Sequence, residues 1–245
     1  MRVAVITPYH REPEAWLRRC LASVRNQTLA CEHLVIADGH PQDWLDGEGV
    51  RHIRLDRAHR DYGNTPRAIG ALLAISEGFD AVTFLDADNW YAPEHIATCV
   101  QVAAQTGCDY VTASRHLCRE DGSIMAVHAS DDGDWSHVDT NCFFLLVGAF
   151  HSVARWALMP KPMALLGDRF YLQGLLADGL RAGRSPARTV HYLCTWSSFY
   201  RALGEPVPAF AKENIDGQPV RNWLARLQPG DLAVVRRLTG CALAT

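Results

Sequence analysis

The segment Phe84-Leu85-Asp86-Ala87-Asp88-Asn89 combines residue types and spacing that can do chemistry. In extended backbone, residues two apart point to the same side, so the carboxylates of Asp86 and Asp88 can face one pocket. Two hard oxygen ligands at the end of a strand suit Mg²⁺ or Mn²⁺, each of which can also touch a diphosphate. A solvated polar turn is the alternative for an isolated Asp-x-Asp. Its place after the apolar run Ala81 to Leu85 favours the pocket.

The elements that must hold these carboxylates follow from hydrophobic periodicity. Val3 to Ile6 reads as a buried strand ended by Thr7-Pro8, and Leu34 to Ala37 as a second, stopped by Asp38-Gly39. Ile53 and Leu55 alternate with Arg54 in a third strand, Ala81 to Leu85 is a fourth, and Tyr110 to Ala113 is one more. Between them, Trp16, Leu17, Cys20, Leu21 and Val24 recur at helical spacing after Pro13. Ala68, Ile69, Ala71, Leu72 and Ile75 do so after Thr65-Pro66, and a further helix opens at Pro93 and runs to about Gln105. Strands alternating with helices predict an α/β fold with a mostly parallel sheet and helices on both faces. In such sheets ligands bind beyond the carboxyl ends of the strands. Those ends carry Thr7, Asp38, Asp86 and Asp88.

Beyond about residue 114 the alternation breaks down into turn-rich stretches, Glu120 to Ser123 and Ser130 to Ser136, with a helix expected over Arg169 to Ala177. The expected organisation is one main domain with an irregular C-terminal part. The expected divisions are residues 1–115, residues 116–203 and residues 204–245, the last an extension with an amphipathic stretch at Trp223 to Leu227.

Composition narrows the class. At 245 residues and 48% hydrophobic, the chain can build its own core without a disulfide or metal staple. With 24 basic and 27 acidic residues and a net charge of −3, it lacks a nucleic-acid-binding footprint. The longest apolar run, Phe143 to Phe150, is far below the ~20 residues that span a bilayer, so no membrane span is expected. Eight scattered cysteines without Cys-x-x-Cys spacing read as buried free thiols in a reducing compartment. Because Met1 to Pro8 reads as a strand rather than an export leader, a cytoplasmic location is the expectation.

Four segments together resemble a family 2 glycosyltransferase, which has the nucleotide-diphospho-sugar fold called GT-A. They are Val3-Ala4-Val5-Ile6-Thr7-Pro8-Tyr9-His10; Ser23 to Thr28 with Leu34-Val35-Ile36-Ala37-Asp38-Gly39; Asn64 through Gly70; and Asp86-Ala87-Asp88. They lie in the family's order and spacing over roughly residues 1–115. The resemblance implies that Thr7, Pro8, Tyr9 and Asp38 hold the nucleoside of the donor, with Asp38 on the base, usually the uracil of UDP. It places Arg67 near the base or diphosphate, Asp86 and Ala87 at the donor, and Asp88 on a divalent metal, Mn²⁺ or Mg²⁺. The chain departs from the family at Ala37, where a second acid is usual, at His40 for Ser, and at His10 for Asn.

In the second half, His137-Val138-Asp139-Thr140-Asn141 resembles an acceptor-side segment that precedes a helix, and Gly167-Asp168-Arg169-Phe170 resembles the later acidic motif whose Asp is the general base. Gly167 stands where Glu is common, so the match rests on Asp168. An N-cap is the structural alternative for Asp168, and the two roles are compatible, since a helix N-terminus favours an ionised carboxylate. His191, in Thr189-Val190-His191-Tyr192, stands near a family position whose His completes the metal site; a core histidine in an apolar strand is the alternative. Trp135, Trp156, Trp196 and Phe199 could stack on a sugar or be core.

The expected reaction is metal-dependent, inverting transfer of a sugar from a nucleotide diphosphate to an acceptor hydroxyl on a glycan, lipid-linked or small molecule. The cation would neutralise the leaving diphosphate and Asp168 would take the acceptor proton. A non-catalytic binding module on the same fold, or a nucleotide-sugar hydrolase, are the alternatives. Gly47-Glu48-Gly49 precedes a strand and lacks a third Gly, which argues against a dinucleotide fold. Gln218-Pro219-Val220-Arg221-Asn222-Trp223 resembles the Gln-x-x-Arg-Trp motif of processive synthases with an extra residue, a coincidence of sequence.

Overall fold

The computed structural model describes residues 1–127, 137–214 and 216–241. Trp135 and the stretch Ser130 to Ser136 lie outside them. In chain order the elements are β1 (Val3–Tyr9), α1 (Glu14–Arg25), β2 (Glu32–Ala37), β3 (Arg51–Arg54), α2 (Asn64–Ser76), β4 (Ala81–Phe84), β5 (Trp90–Tyr91), α3 (His95–Thr106) and β6 (Tyr110–Cys118). They continue with β7 (Phe143–Leu146), α4 (Ala154–Leu158), α5 (Gly167–Ala177), β8 (Ala182–Leu193), α6 (Ser197–Ala202), α7 (Gln218–Leu224) and α8 (Pro229–Thr239).

The strands form one sheet in the order β3-β2-β1-β4-β7-β6-β8-β5. The pairs β2/β3, β1/β2 and β1/β4 are parallel, as expected from the alternation. The second half is mixed. β7 runs antiparallel to both β4 and β6, β6 and β8 are parallel across a bulge near Ser114, and β5 is antiparallel to β8. The apolar run at Phe143 suits this place, because helices and loops cover both faces of the sheet here and Phe143, Phe144 and Leu145 are all buried.

Parity along the strands places helices on both faces. Tyr9, Val35 and Ala37 pack with Leu17 and Leu21 of α1. On the other face, α2 approaches so closely at Gly70 that a Cβ there would lie 2.6 Å from Ile36 Cδ1 and 2.7 Å from Ile6 Cγ2. Residues of opposite parity on β1 and β2 therefore carry opposite helices. Fully burying a leucine such as Leu17 stabilises by about 1.5–3 kcal/mol. All eight cysteines are free thiols, seven of them buried, as the composition suggested. The segment after Gly204 folds back, with Val220, Leu232, Val235 and Cys241 packing on Met159, Met163 and Phe170. Among the described residues no helix is long and apolar enough to cross a membrane.

Candidate active site

The carboxyl ends of β1, β2 and β4, the start of α2 and the start of α5 open into one cleft of about 670 Å³. Pro8, Tyr9, Asp38, Arg67, Asp86, Ala87, Asp88 and Asp168 all line it. Thus eight of the ten residues expected at the site are brought together from elements far apart in the chain. Thr7 and His191 are not.

Thr7 is fully buried, and its hydroxyl lies 2.8 Å from His33 Nε2. β1 is buried along its whole length, so a hydroxyl there can face the interior as readily as the cleft, and this one does. His191 stacks on Trp90 with ring centroids 5.4 Å apart and lies 5.7 Å from His116. Its neighbour Tyr192 lines the cleft, so alternation along β8 turns His191 to the opposite side. At this end of β8 it is Thr195 and Trp196, beyond the strand, that line the cleft.

The two acids of the Asp-x-Asp differ. Asp86 is tied down: Arg67 Nη2 donates to its Oδ1 at 2.6 Å, Asn141 Nδ2 donates to its Oδ2 at 3.2 Å, and its N–H donates to Asn141 Oδ1 at 2.5 Å. Arg67 is buried, donates to Asn64 Oδ1 at 3.0 Å and lies over the Trp156 ring. The Asp88 carboxyl has no ion pair among the described residues, although Arg19 Nη2 donates to the Asp88 backbone carbonyl at 3.3 Å. Burial and the nearby carboxylates of Asp86 and Glu12 push it up to about 8. A half-buried carboxyl in that state gains most from a cation.

Among the described residues the cleft lining is short of positive charge: Glu12, Asp38, Asp61, Asp86, Asp88, Asp139, Asp168, Glu213 and Asp216 share it with Arg60, Arg67 and Lys212, while Asp139 and Glu213 pair with Arg115 and Arg201 outside the lining. No group of three or more His, Cys, Asp or Glu among the described residues is arranged to hold a metal by itself. A cation that shares its coordination with substrate phosphates and water needs only one or two carboxylates, so Asp88 with Asp86 beside it fits that kind of site.

At the end of the cleft beyond β2, Asp38 is fixed by His59, whose N–H and Nδ1–H donate to Asp38 Oδ1 at 2.9 and 2.7 Å. His10, at a family Asn position, bonds to the Asp38 carbonyl at 2.9 Å through Nδ1. Between the two ends, Asp61 Oδ2 accepts from Thr65 N–H at 3.0 Å and Oγ1 at 2.5 Å, which anchors the start of α2. Asn64 Nδ2 and Arg67 Nε are buried donors without a partner among the described residues, and both residues line the cleft. Unpaired buried donors at a cleft wall are what an acceptor-rich ligand would satisfy. The approach to α2 is strained: Arg60 and Tyr62 have φ of 56° and 59°, a region side chains other than glycine rarely adopt.

At the other end, Leu166 occupies the N-cap of α5 and Asp168 lies in its first turn, so the N-cap alternative does not hold. Asp168 Oδ1 accepts the Arg169 N–H at 2.8 Å, and Oδ2 accepts from His137 Nε2 at 2.7 Å. Gly167, where a Glu is common, has no room for a side chain: a Cβ would lie 3.1 Å from Asn64 Nδ2 and 3.3 Å from the Trp156 ring. The segment His137 to Asn141 leads into a strand, β7, through a 3-10 turn rather than into a helix. Of the aromatics considered for stacking, Trp156 and Trp196 line the cleft, while Phe199 packs in a separate cluster with Leu117 and Met125. Sequence reasoning did not assign site roles to Glu12, Asp61, Asn64, Asp139 and Asn141; Asp139 and Asn141 act through partners far away in the chain, Arg115 and Asp86.

Comparison with known proteins agrees with this architecture. The model of Glycosyl transferase family 2 matches residues 4–141. The succinoglycan biosynthesis protein ExoW of Rhizobium meliloti is 33% identical over 120 residues, covering 46% of this chain and 37% of ExoW. The chain thus spans little more than a third of that relative. The structure of S. aureus TarS 1–349 in complex with UDP superposes with a TM-score of 0.61 at 12% identity, covering 97% of this chain and 70% of TarS 1–349. Its complex with UDP-GlcNAc gives 0.58 at 13% identity, covering 100% and 68%. The fold is that of GT-A structures, and the chain belongs to glycosyl transferase family 2.

Proposed function

We propose that this member of glycosyl transferase family 2 transfers a sugar from a nucleotide diphosphate, UDP favoured, to an acceptor hydroxyl, with a divalent cation and with inversion. The observation that carries the reading is the meeting of Asp38, Asp86, Asp88 and Asp168 in one cleft, where Asp86 is paired with Arg67 and the Asp88 carboxyl has no ion pair among the described residues. The UDP and UDP-GlcNAc complexes of TarS lend support to a uridine donor.

In this reading Asp38, locked by His59, takes the base, and Tyr9 and Pro8 pack on the nucleoside. Asp88, with Asp86 beside it, would hold Mn²⁺ or Mg²⁺, which supplies neutralisation of the charge that develops on the departing diphosphate. Arg67 holds Asp86 in place through Nη2, and the remaining donors of Asn64 and Arg67 would serve oxygens of the nucleotide. Asp168 accepts the proton of the acceptor hydroxyl as that oxygen attacks the sugar carbon from the side opposite the leaving group. Trp196 at the cleft wall suits a sugar face, whereas Trp156 is 1% exposed, stacks on Tyr171 and supports Arg67 from the core. Holding donor and acceptor in line supplies several kcal/mol of the acceleration.

The test is UDP release from a panel of UDP-glucose, UDP-galactose and UDP-GlcNAc with Mn²⁺, with water alone and with oligosaccharide acceptors, the product anomer being read by NMR. Acceptor-stimulated release with an inverted anomer supports the reading. Release that no acceptor stimulates makes the protein a hydrolase, and a retained anomer removes Asp168 as the base.

A further inference from the structure

We propose that residues 137–141 act as one positioning bridge between the two chemical halves of the cleft, His137 holding Asp168 and Asn141 holding Asp86. The inference rests on the transfer reading above, in which those two carboxylates serve base and donor.

The donor-side carboxylate follows β4 and the base begins α5, and no strand or helix joins them directly. The segment from His137 to Asn141 touches both. At one end, Asn141 is fully buried, and both atoms of its amide are bound: Oδ1 accepts the Asp86 N–H, and Nδ2 donates to Asp86 Oδ2 and, at 2.6 Å, to Asp139 Oδ1. Asp139 Oδ1 also accepts the Asn141 N–H at 3.0 Å, and Asp139 Oδ2 pairs with the largely buried Arg115 of β6. Arg115 in turn lies 4.6 Å over the Tyr192 ring of β8. The middle of the bridge is therefore clamped to the sheet.

At the other end, His137 Nε2 lies 2.7 Å from Asp168 Oδ2, with the His side chain 12% exposed. An ionised carboxylate can only accept, so Nε2 carries the hydrogen. With Oδ1 on the Arg169 N–H, both oxygens of Asp168 are oriented, and each keeps a further lone pair for an acceptor hydroxyl. Five residues reach at most about 14 Å between their outer Cα atoms, so the bridge limits how far base and donor carboxylate can drift apart. His137 and Asn141 are positioning residues, acting through Asp168 and Asp86.

The experiment compares His137→Leu, which removes the donor, with His137→Gln, whose amide N–H can reach the place of Nε2. The readouts are kcat and donor KM with the UDP-sugar that turns over fastest in the panel, and the affinity for UDP with Mn²⁺. Loss of such a supporting hydrogen bond costs about 10–100-fold. We expect His137→Leu to lower kcat by about that factor with KM and UDP affinity within about threefold of wild type, and His137→Gln to recover most of it. Asn141→Ala should instead weaken UDP binding by about 10–100-fold. Independently of turnover, ¹⁵N NMR should find His137 protonated at Nε2, with the resonance shifting in Asp168→Ala. Wild-type kcat in His137→Leu, or equal loss in His137→Gln and His137→Leu, overturns the bridge. Full activity in Asp168→Asn would instead remove the transfer reading itself, so the two failures are separable.

Discussion

Arg67 Nη2 lies 2.6 Å from Asp86 Oδ1, while two residues on, the carboxyl of Asp88 has no basic side chain in ion-pair reach among the described residues. The pair of acids is thereby split. Asp86 has its charge balanced within the protein and serves as a fixed hydrogen-bond acceptor. Asp88 keeps an unbalanced position that an added cation can fill. Because α2 carries Arg67 and lies tightly on β1 and β2 through Gly70, the sheet packing and the asymmetry of the acids are linked.

That link gives the first expectation. Gly70→Ala gains about 1 kcal/mol of helix propensity but forces a methyl into Ile6 and Ile36, and overpacking costs about 1–3 kcal/mol. Urea denaturation should find a net loss of up to about 2 kcal/mol, with UDP affinity falling as Arg67 shifts. A stabilised variant would mean that α2 can move away from the sheet freely.

The carboxyl of Asp88 makes stability depend on pH. Its ordinary value of 3.8 is raised to about 8 in the folded chain, so the native state holds a proton that the unfolded chain releases above about pH 4. Without divalent cations, stability from this group is present in full near pH 4 and is lost as pH rises towards 8. Asp88→Asn removes that slope. Melting temperatures should agree near pH 4 and diverge up to pH 8 in favour of the variant, and Mn²⁺ should narrow the gap for wild type. A difference independent of pH contradicts the assigned environment.

Replacement of the base separates binding from chemistry. Asp168→Asn keeps shape and loses proton affinity, so transfer should fall by about 10²–10⁴-fold. UDP affinity measured by calorimetry should stay within about twofold. Loss of binding in step with activity would give Asp168 a structural role instead.

Much of this arrangement was legible in the sequence. The β-branched run at Val3, the apolar run at Leu34 and the strand before Asp86 fixed where the carboxyl ends lie, and with them Asp38, Asp86 and Asp88, because buried parallel strands are local, continuous signals. Parity was not legible where a strand is buried on both faces. Nothing in the order of residues says that Thr7 turns to His33, or that Tyr192 rather than His191 faces the cleft. Nor does local pattern reveal Asn141 holding Asp86 across 55 positions, since such a contact exists only once β7 has inserted between β4 and β6. The helix at Asp168 was legible, but its partner His137 was not, because their bond joins residues 31 apart.

Calorimetric titration of UDP into wild type and Asp88→Ala, each with Mn²⁺ and with EDTA, bears most directly on the cation-bridged donor site. Wild type should bind UDP at least about tenfold more tightly with Mn²⁺ than with EDTA, and Asp88→Ala should bind weakly and equally in both. Equal binding by wild type with and without the cation, or a variant that keeps the full Mn²⁺ gain, would contradict donor binding through Asp88.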